Sequence, residues 1–73
     1  GGAVMLDLLL HIEMRLNYWR SALKRAEGRY HSAAQSVDER QRQGHLAECR
    51  KCSAVIRELE MLREEVAERG EKN

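Results

Sequence analysis

The chain has 73 residues, of which 34% are charged, and it contains neither Pro nor Phe, a composition typical of helical proteins. Its 13 Lys and Arg residues nearly balance its 12 Asp and Glu residues, so the net charge of +1 gives no reason to expect a polyanionic partner. A chain of this size rarely buries a self-sufficient core, and a partner, a metal or a disulfide is expected to supplement it.

The longest apolar run is too short for a membrane helix. Leu8–Leu10 is bounded by Asp7 and His11, whereas a membrane span needs ~20 apolar residues. The sequence has no recognisable secretory signal, and Cys49 and Cys52 are poorly placed for a structural disulfide because they would lie within one helical turn. We therefore predict a cytoplasmic protein that does not associate with membranes.

Apolar residues recur at alternating spacings of four and three in the first part of the chain, which predicts one amphipathic helix over residues 5–34. The residues of this heptad seam are Met5, Leu9, Ile12, Leu16, Trp19, Leu23, Ala26, Tyr30 and Ala33. Gly28 is expected to weaken the helix without ending it. Residues 1–4 are predicted to be a cloning remnant or a disordered start.

Ser36-Val37-Asp38-Glu39 has the pattern of a capping box, so a second helix is predicted over residues 37–69 after a turn at residues 34–37. Its apolar seam is out of phase with the first and comprises Cys52, Val55, Leu59, Leu62 and Val66, with Ile56 beside it. Gly70 is a natural stop, and residues 70–73 are expected to fray. Two arms of matched length predict an all-α fold, an antiparallel two-helix hairpin.

The first helix carries more apolar residues than the seam of a hairpin needs, because Leu6, Leu8, Leu10 and Met14 lie off the seam. This excess predicts a second contact surface, and pairing two hairpins into a four-helix bundle would cover it. We therefore predict a homodimer whose interface includes Leu6, Leu10, Met14 and Trp19. The sequence contains no nucleophile-and-base arrangement and no phosphate-binding loop, so the predicted function is that of a non-enzymatic regulatory protein that binds a protein partner through a helix face.

Residues 45–52 read His-x3-Cys-x2-Cys, a spacing at which an imidazole and two thiolates could converge on zinc. The candidate ligands are His45, Cys49 and Cys52, with His31 or His11 as the fourth. The alternative is an uninterrupted helix that binds no cofactor and in which Cys52 packs as a small apolar residue. In such a helix His45 and Cys52 would be about 10 Å apart along the axis.

Together with the preceding Ser36-Val37-Asp38-Glu39-Arg40, this motif resembles the zinc-associated anti-sigma factor family, whose small helical domains share His-x3-Cys-x2-Cys. The family usually places a further ligand upstream of the motif, at a spacing that falls here on Arg20. The resemblance implies a zinc-bound regulator that sequesters a transcription factor. Residues 17–26 also resemble part of the small accessory proteins of temperate phages, which implies a phage-encoded regulator.

A basic side of the first helix offers a further alternative, in which arginines and a lysine follow a phosphate backbone; its residues are Arg15, Arg20, Lys24, Arg25 and Arg29. The balanced net charge favours a solvated surface over nucleic-acid binding. On the second helix, the glutamates between residues 58 and 68 are expected to pair with arginines of the same helix.

Overall fold

The computed structural model describes residues 2–33 and 38–72, which form two helices, α1 (Gly2–Ala33) and α2 (Glu39–Lys72). The helices are antiparallel, because Glu13 of α1 contacts Arg63 of α2 and Met5 approaches Gly70. The described ranges contain no strand, and the hairpin measures 56 × 15 × 11 Å. The predicted all-α hairpin is therefore confirmed.

Both helices extend further at the open end of the hairpin than the sequence pattern predicts. α1 begins at Gly2 rather than at residue 5, and α2 continues through Gly70 to Lys72 rather than ending at residue 69. Gly70 keeps a negative φ and therefore does not adopt the left-handed conformation with which glycine commonly ends a helix. The predicted turn at residues 34–37 lies outside the described residues.

The N-terminus of α2 is capped by Asp38. Its Oδ1 atom accepts hydrogen bonds from the backbone amides of Arg40 at 3.1 Å and Gln41 at 3.2 Å, which have no partner within the helix. The helix therefore begins at Glu39, two residues later than predicted. Ser36, the predicted cap, lies outside the described residues. The carboxylate of Glu39 accepts hydrogen bonds from the side chains of Arg42 and Gln43, one turn further along the helix.

The hydrophobic core lies in the half of the hairpin that is remote from the turn. Its buried centre consists of Ile12 and Leu16 from α1 and Leu59 and Val66 from α2. Partly buried side chains surround this centre, namely Met5, Leu9, Trp19, Val55 and Ile56. Nearer the turn the buried residues are smaller: Ala26, Ala33 and Cys52. Apolar packing is therefore strongest at the open end of the hairpin.

One residue that the sequence places in the seam does not join the core. Leu62 is 43% exposed, whereas Ile56, predicted to lie beside the seam, packs against the core cluster. At about 100° per residue, Leu62 lies roughly 60° from the buried centre of α2, and a single neighbouring helix covers only a narrow stripe. The prediction that Leu62 is a seam residue is therefore wrong.

Two ion pairs connect the helices beside the core. Nη1 of Arg63 donates a hydrogen bond to Oε1 of Glu13 at 2.5 Å, and Nη2 of Arg20 lies 3.7 Å from Oε2 of Glu60. The hydrogen bond to Glu13 raises the pKa of the Arg63 guanidinium. Glu60 and Arg63, which are predicted to pair within α2, form these ion pairs with α1 because antiparallel packing places opposite charges beside them. The charges of Glu60 and Glu64 on α2 also raise the pKa of Arg63.

Candidate interaction surface

Four side chains form a continuous apolar row along the outside of α1. Leu6, Leu10, Met14 and Tyr18 follow one another at intervals of four residues and therefore lie side by side on the helix. Their exposed fractions are 63%, 62%, 70% and 61%. We call these four residues the outer row. Leu6, Leu10 and Met14 are residues that the sequence predicts for an interface.

The outer row lies on the face of α1 opposite the buried seam. At about 100° per residue, Leu10 and Met14 lie roughly 160° around the helix from the face that holds Ile12 and Leu16. Val4 and Leu8 are also exposed, but each lies two residues from Leu6 and therefore about 160° around the helix from it, on the opposite flank of the seam. The first half of α1 is therefore apolar on two sides, and α2 covers one of them.

The area of the outer row is at the upper end of what soluble monomers expose. From the exposed fractions, the four side chains present about 500 Å² of surface, and the largest apolar patch of a typical monomer measures about 300–600 Å² and is often functional. The whole chain exposes only 5785 Å². The outer row is therefore the strongest candidate for an interaction surface among the described residues.

Trp19, also predicted as an interface residue, lies between the core and the outer row and is not a member of the row. Its side chain packs against the core cluster, and its ring meets the ring of Tyr18 edge-on, with 5.4 Å between centroids. A shallow groove beside this pair is lined by Trp19, Tyr18, Met14, Arg15 and His11. Trp19 therefore links the core to Tyr18, the last residue of the outer row, through this ring contact.

The His-x3-Cys-x2-Cys motif lies on an uninterrupted part of α2. Cys52 is 1% exposed, and His45 and Cys49 are half-buried. Both cysteines are free thiols. Burial raises the pKa of the Cys49 thiol above its ordinary value of 9.0, and the carboxylate of Glu27 adds to the shift.

Among the described residues, no group of three His, Cys, Asp or Glu side chains could hold a metal ion. Because α2 has no break near residues 46–49, His45 and Cys52 stay about 10 Å apart along the helix axis. His31 and His11, the candidate fourth ligands, are exposed on α1. Within residues 3–33 and 38–70 the five candidate ligands are therefore not brought together, and Cys52 is buried as a small apolar residue.

The basic residues of α1 do not form a uniform stripe. Arg20 is paired with a glutamate of α2, which neutralises the middle of the predicted basic side. Arg25 and Arg29 have no carboxylate partner within residues 3–33 and 38–70, and they line a shallow groove near the turn together with Gln41 and His45. The accessible basic charge of α1 is therefore interrupted along the helix.

Within the part of the chain that the structure describes, neither helix has a segment whose length and hydrophobicity would allow it to cross a membrane.

The resemblances to anti-sigma factors and to phage accessory proteins stay predictions from the sequence. The outer row is the feature of the structure on which a function can be based. Comparison of the chain with protein-family models, with curated proteins and with solved structures found no match.

Proposed function

We propose that this protein is a non-enzymatic regulatory protein that forms a homodimer through the outer row of α1 and binds a protein partner through another helix face. The observation that carries the proposal is the exposure of Leu6, Leu10, Met14 and Tyr18 on a face that α2 leaves uncovered. Soluble proteins seldom keep a continuous apolar row in water unless a partner covers it.

A second copy of the chain is a suitable occupant because the row can pack against itself about a two-fold axis. Burying about 500 Å² on each copy removes about 1,000 Å² of surface from water, which is about the minimum size of a biological interface. A stable interface usually covers about 800 Å² per partner, so the outer row supplies its apolar centre and the polar residues that flank the row supply the rest. A dimer also supplies the core volume that a small chain lacks.

The outward face of α2 stays accessible in such a dimer. It exposes 58% of Met61, and Leu62 is 43% exposed nearby. Both residues lie in the open half of the hairpin, on the helix that does not contribute to the outer row. This smaller apolar surface is where the dimer would contact a different protein, since it is flanked by charged residues that form a polar rim.

The homodimer is tested by sedimentation equilibrium at tens of micromolar protein, with Met14→Glu compared with Met61→Glu. Both substitutions replace an exposed methionine on a helix by the same charge. We expect the unmodified chain and Met61→Glu to have the mass of a dimer. We expect Met14→Glu to have the mass of a monomer, because dimerisation would bury an unpaired carboxylate.

Circular dichroism provides the folding control, since both variants should keep their helix content in the monomer or the dimer. A monomeric mass for the unmodified chain with full helicity would contradict the proposal. Equal effects of the two substitutions on the measured mass would also contradict it, because the interface would then not be specific to α1.

A further inference from the structure

We propose that the two copies form a flat antiparallel layer in the order α2, α1, α1 of the second copy, α2 of the second copy, with Leu10 of each chain against Met14 of the other. This inference rests on the proposed homodimer and specifies its geometry. It differs from a closed four-helix bundle, in which every helix touches two neighbours around a common core.

The angle between the two apolar faces of α1 favours a layer. In a closed bundle, the neighbours of a helix lie about 90° apart around it, so their contact faces merge into one wide apolar stripe. Here the outer row lies roughly 160° from the seam of Ile12 and Leu16. A helix with apolar faces on opposite sides is covered by one neighbour on each side, so the two α1 helices lie at the centre and the two α2 helices lie outside.

Charges beside the outer row favour the antiparallel direction. Asp7 and Arg15 are exposed on the same flank of the row, one toward each end of it. A two-fold axis between Leu10 and Met14 brings Asp7 of each copy toward Arg15 of the other. Parallel packing would instead place the flanks that carry Asp7 and Arg15 on opposite sides of the interface, where Asp7 of one copy could not approach Arg15 of the other.

The charge of the whole hairpin points to the same direction. Residues 24–51, the half that contains the turn, carry seven basic and four acidic side chains, a net charge of +3. The remaining residues carry six basic and eight acidic side chains, a net charge of −2. Parallel packing would place the two basic halves side by side, within a Debye length of about 8 Å. Antiparallel packing places them at opposite ends of the dimer.

The proposed register predicts the length of the dimer. The two-fold axis passes near residue 12 of α1, which is about 32 Å from the end of that helix at residue 33. The antiparallel layer is therefore about 75 Å long once the turns are included. A parallel pair would be about as long as one hairpin, whose longest extent is 56 Å. Small-angle scattering of the unmodified chain distinguishes these lengths.

Distances between spin labels test the direction and the layer separately. Ser32→Cys and Glu64→Cys each introduce one exposed labelling site, in a background in which Cys49 and Cys52 are replaced by Ala. In the antiparallel layer we expect about 60 Å between the two residue 32 labels. Residue 64 lies level with residue 12, and three interhelical spacings of 8–10 Å place the axes of the two α2 helices about 24–30 Å apart. Because Glu64 is exposed about 140° around α2 from its buried face, its two labels point outward and should be more than about 30 Å apart.

Each outcome decides the proposal. A residue 32 distance below about 30 Å in a protein with the mass of a dimer would establish parallel packing, and a residue 64 distance below about 30 Å would establish a closed bundle. Either result overturns this inference and leaves the proposed homodimer intact. A monomeric mass without dipolar coupling would overturn both. Circular dichroism checks that labelled proteins are folded, and scattering by the unmodified chain provides the measurement that needs no substitution.

Discussion

Leu16→Ala is expected to remove a large part of the stability of the hairpin. The side chain is 0% exposed and belongs to the core centre with Ile12, Leu59 and Val66. Truncating a fully buried leucine costs about 3 kcal/mol, within a range of about 2–5 kcal/mol that depends on how far the cavity collapses. A domain of 73 residues is stable by about 4–10 kcal/mol, so this loss is a third of the total or more.

The measurement is urea unfolding followed by far-ultraviolet circular dichroism, with all proteins at the same concentration because dimerisation is linked to stability. Leu62→Ala is the matched control, since Leu62 is also a helical leucine but is 43% exposed. We expect it to cost about 1 kcal/mol or less, in proportion to its smaller burial. If both variants lost the same free energy of unfolding, the assignment of the core would be refuted.

Three further predictions concern α2. Asp38→Ala should lower the free energy of unfolding by about 1 kcal/mol in urea unfolding, because it leaves the amides of Arg40 and Gln41 without their acceptor, and Asp38→Asn should be nearly neutral. Cys52→Ser should lower the free energy of unfolding by about 1–2 kcal/mol, and Cys49→Ser should lower it less. A chelator should leave the melting temperature of the unmodified chain unchanged, whereas unfolding by the chelator would establish a structural metal. In Cys52→Ser, the Cys49 thiol should react with a disulfide reagent more slowly at pH 8 than the same thiol in the urea-unfolded chain, and equal rates would contradict its raised pKa.

The pKa of Cys49 also determines a direction for stability. The folded chain binds the thiol proton more tightly than the unfolded chain, because the folded pKa is raised above 9.0. The resulting contribution to stability is complete below the unfolded pKa and is lost as the pH rises through the folded pKa. A rise to alkaline pH should therefore lower the stability of the unmodified chain more than it lowers the stability of the Cys49→Ser variant.

The spacing of apolar residues predicts the hairpin because each helix needs one apolar stripe along its length to pack against the other helix. Ile12 and Leu16 are buried as the heptad pattern of α1 requires. The same pattern includes Leu62, which is exposed, because the pattern does not state how α2 is rotated against α1. The contact of Glu13 with Arg63 depends on the same rotation, so the apolar pattern of one helix does not predict that these two residues pair.

The outer row was only partly predictable. Leu6, Leu10 and Met14 were identified because they lie off the seam of the first helix. Tyr18 is not among the residues predicted for the interface, although its spacing of four residues from Met14 places it in the same row. Trp19 was assigned to the interface because large aromatic residues often anchor contacts, whereas its position in the heptad pattern places it against the core.

The position of the core has a consequence for the kinetics of folding. Its main contacts join distant parts of the chain, as Glu13 and Arg63 illustrate with 50 residues between them in sequence. In the half nearer the turn the buried residues are the small Ala26, Ala33 and Cys52, so early contacts there provide less free energy than those of the core centre. The chain must therefore close a long loop before its leucine and isoleucine side chains meet, and the entropic cost of closure precedes the gain. The hairpin should consequently fold more slowly than helical hairpins whose large apolar contacts lie beside the turn.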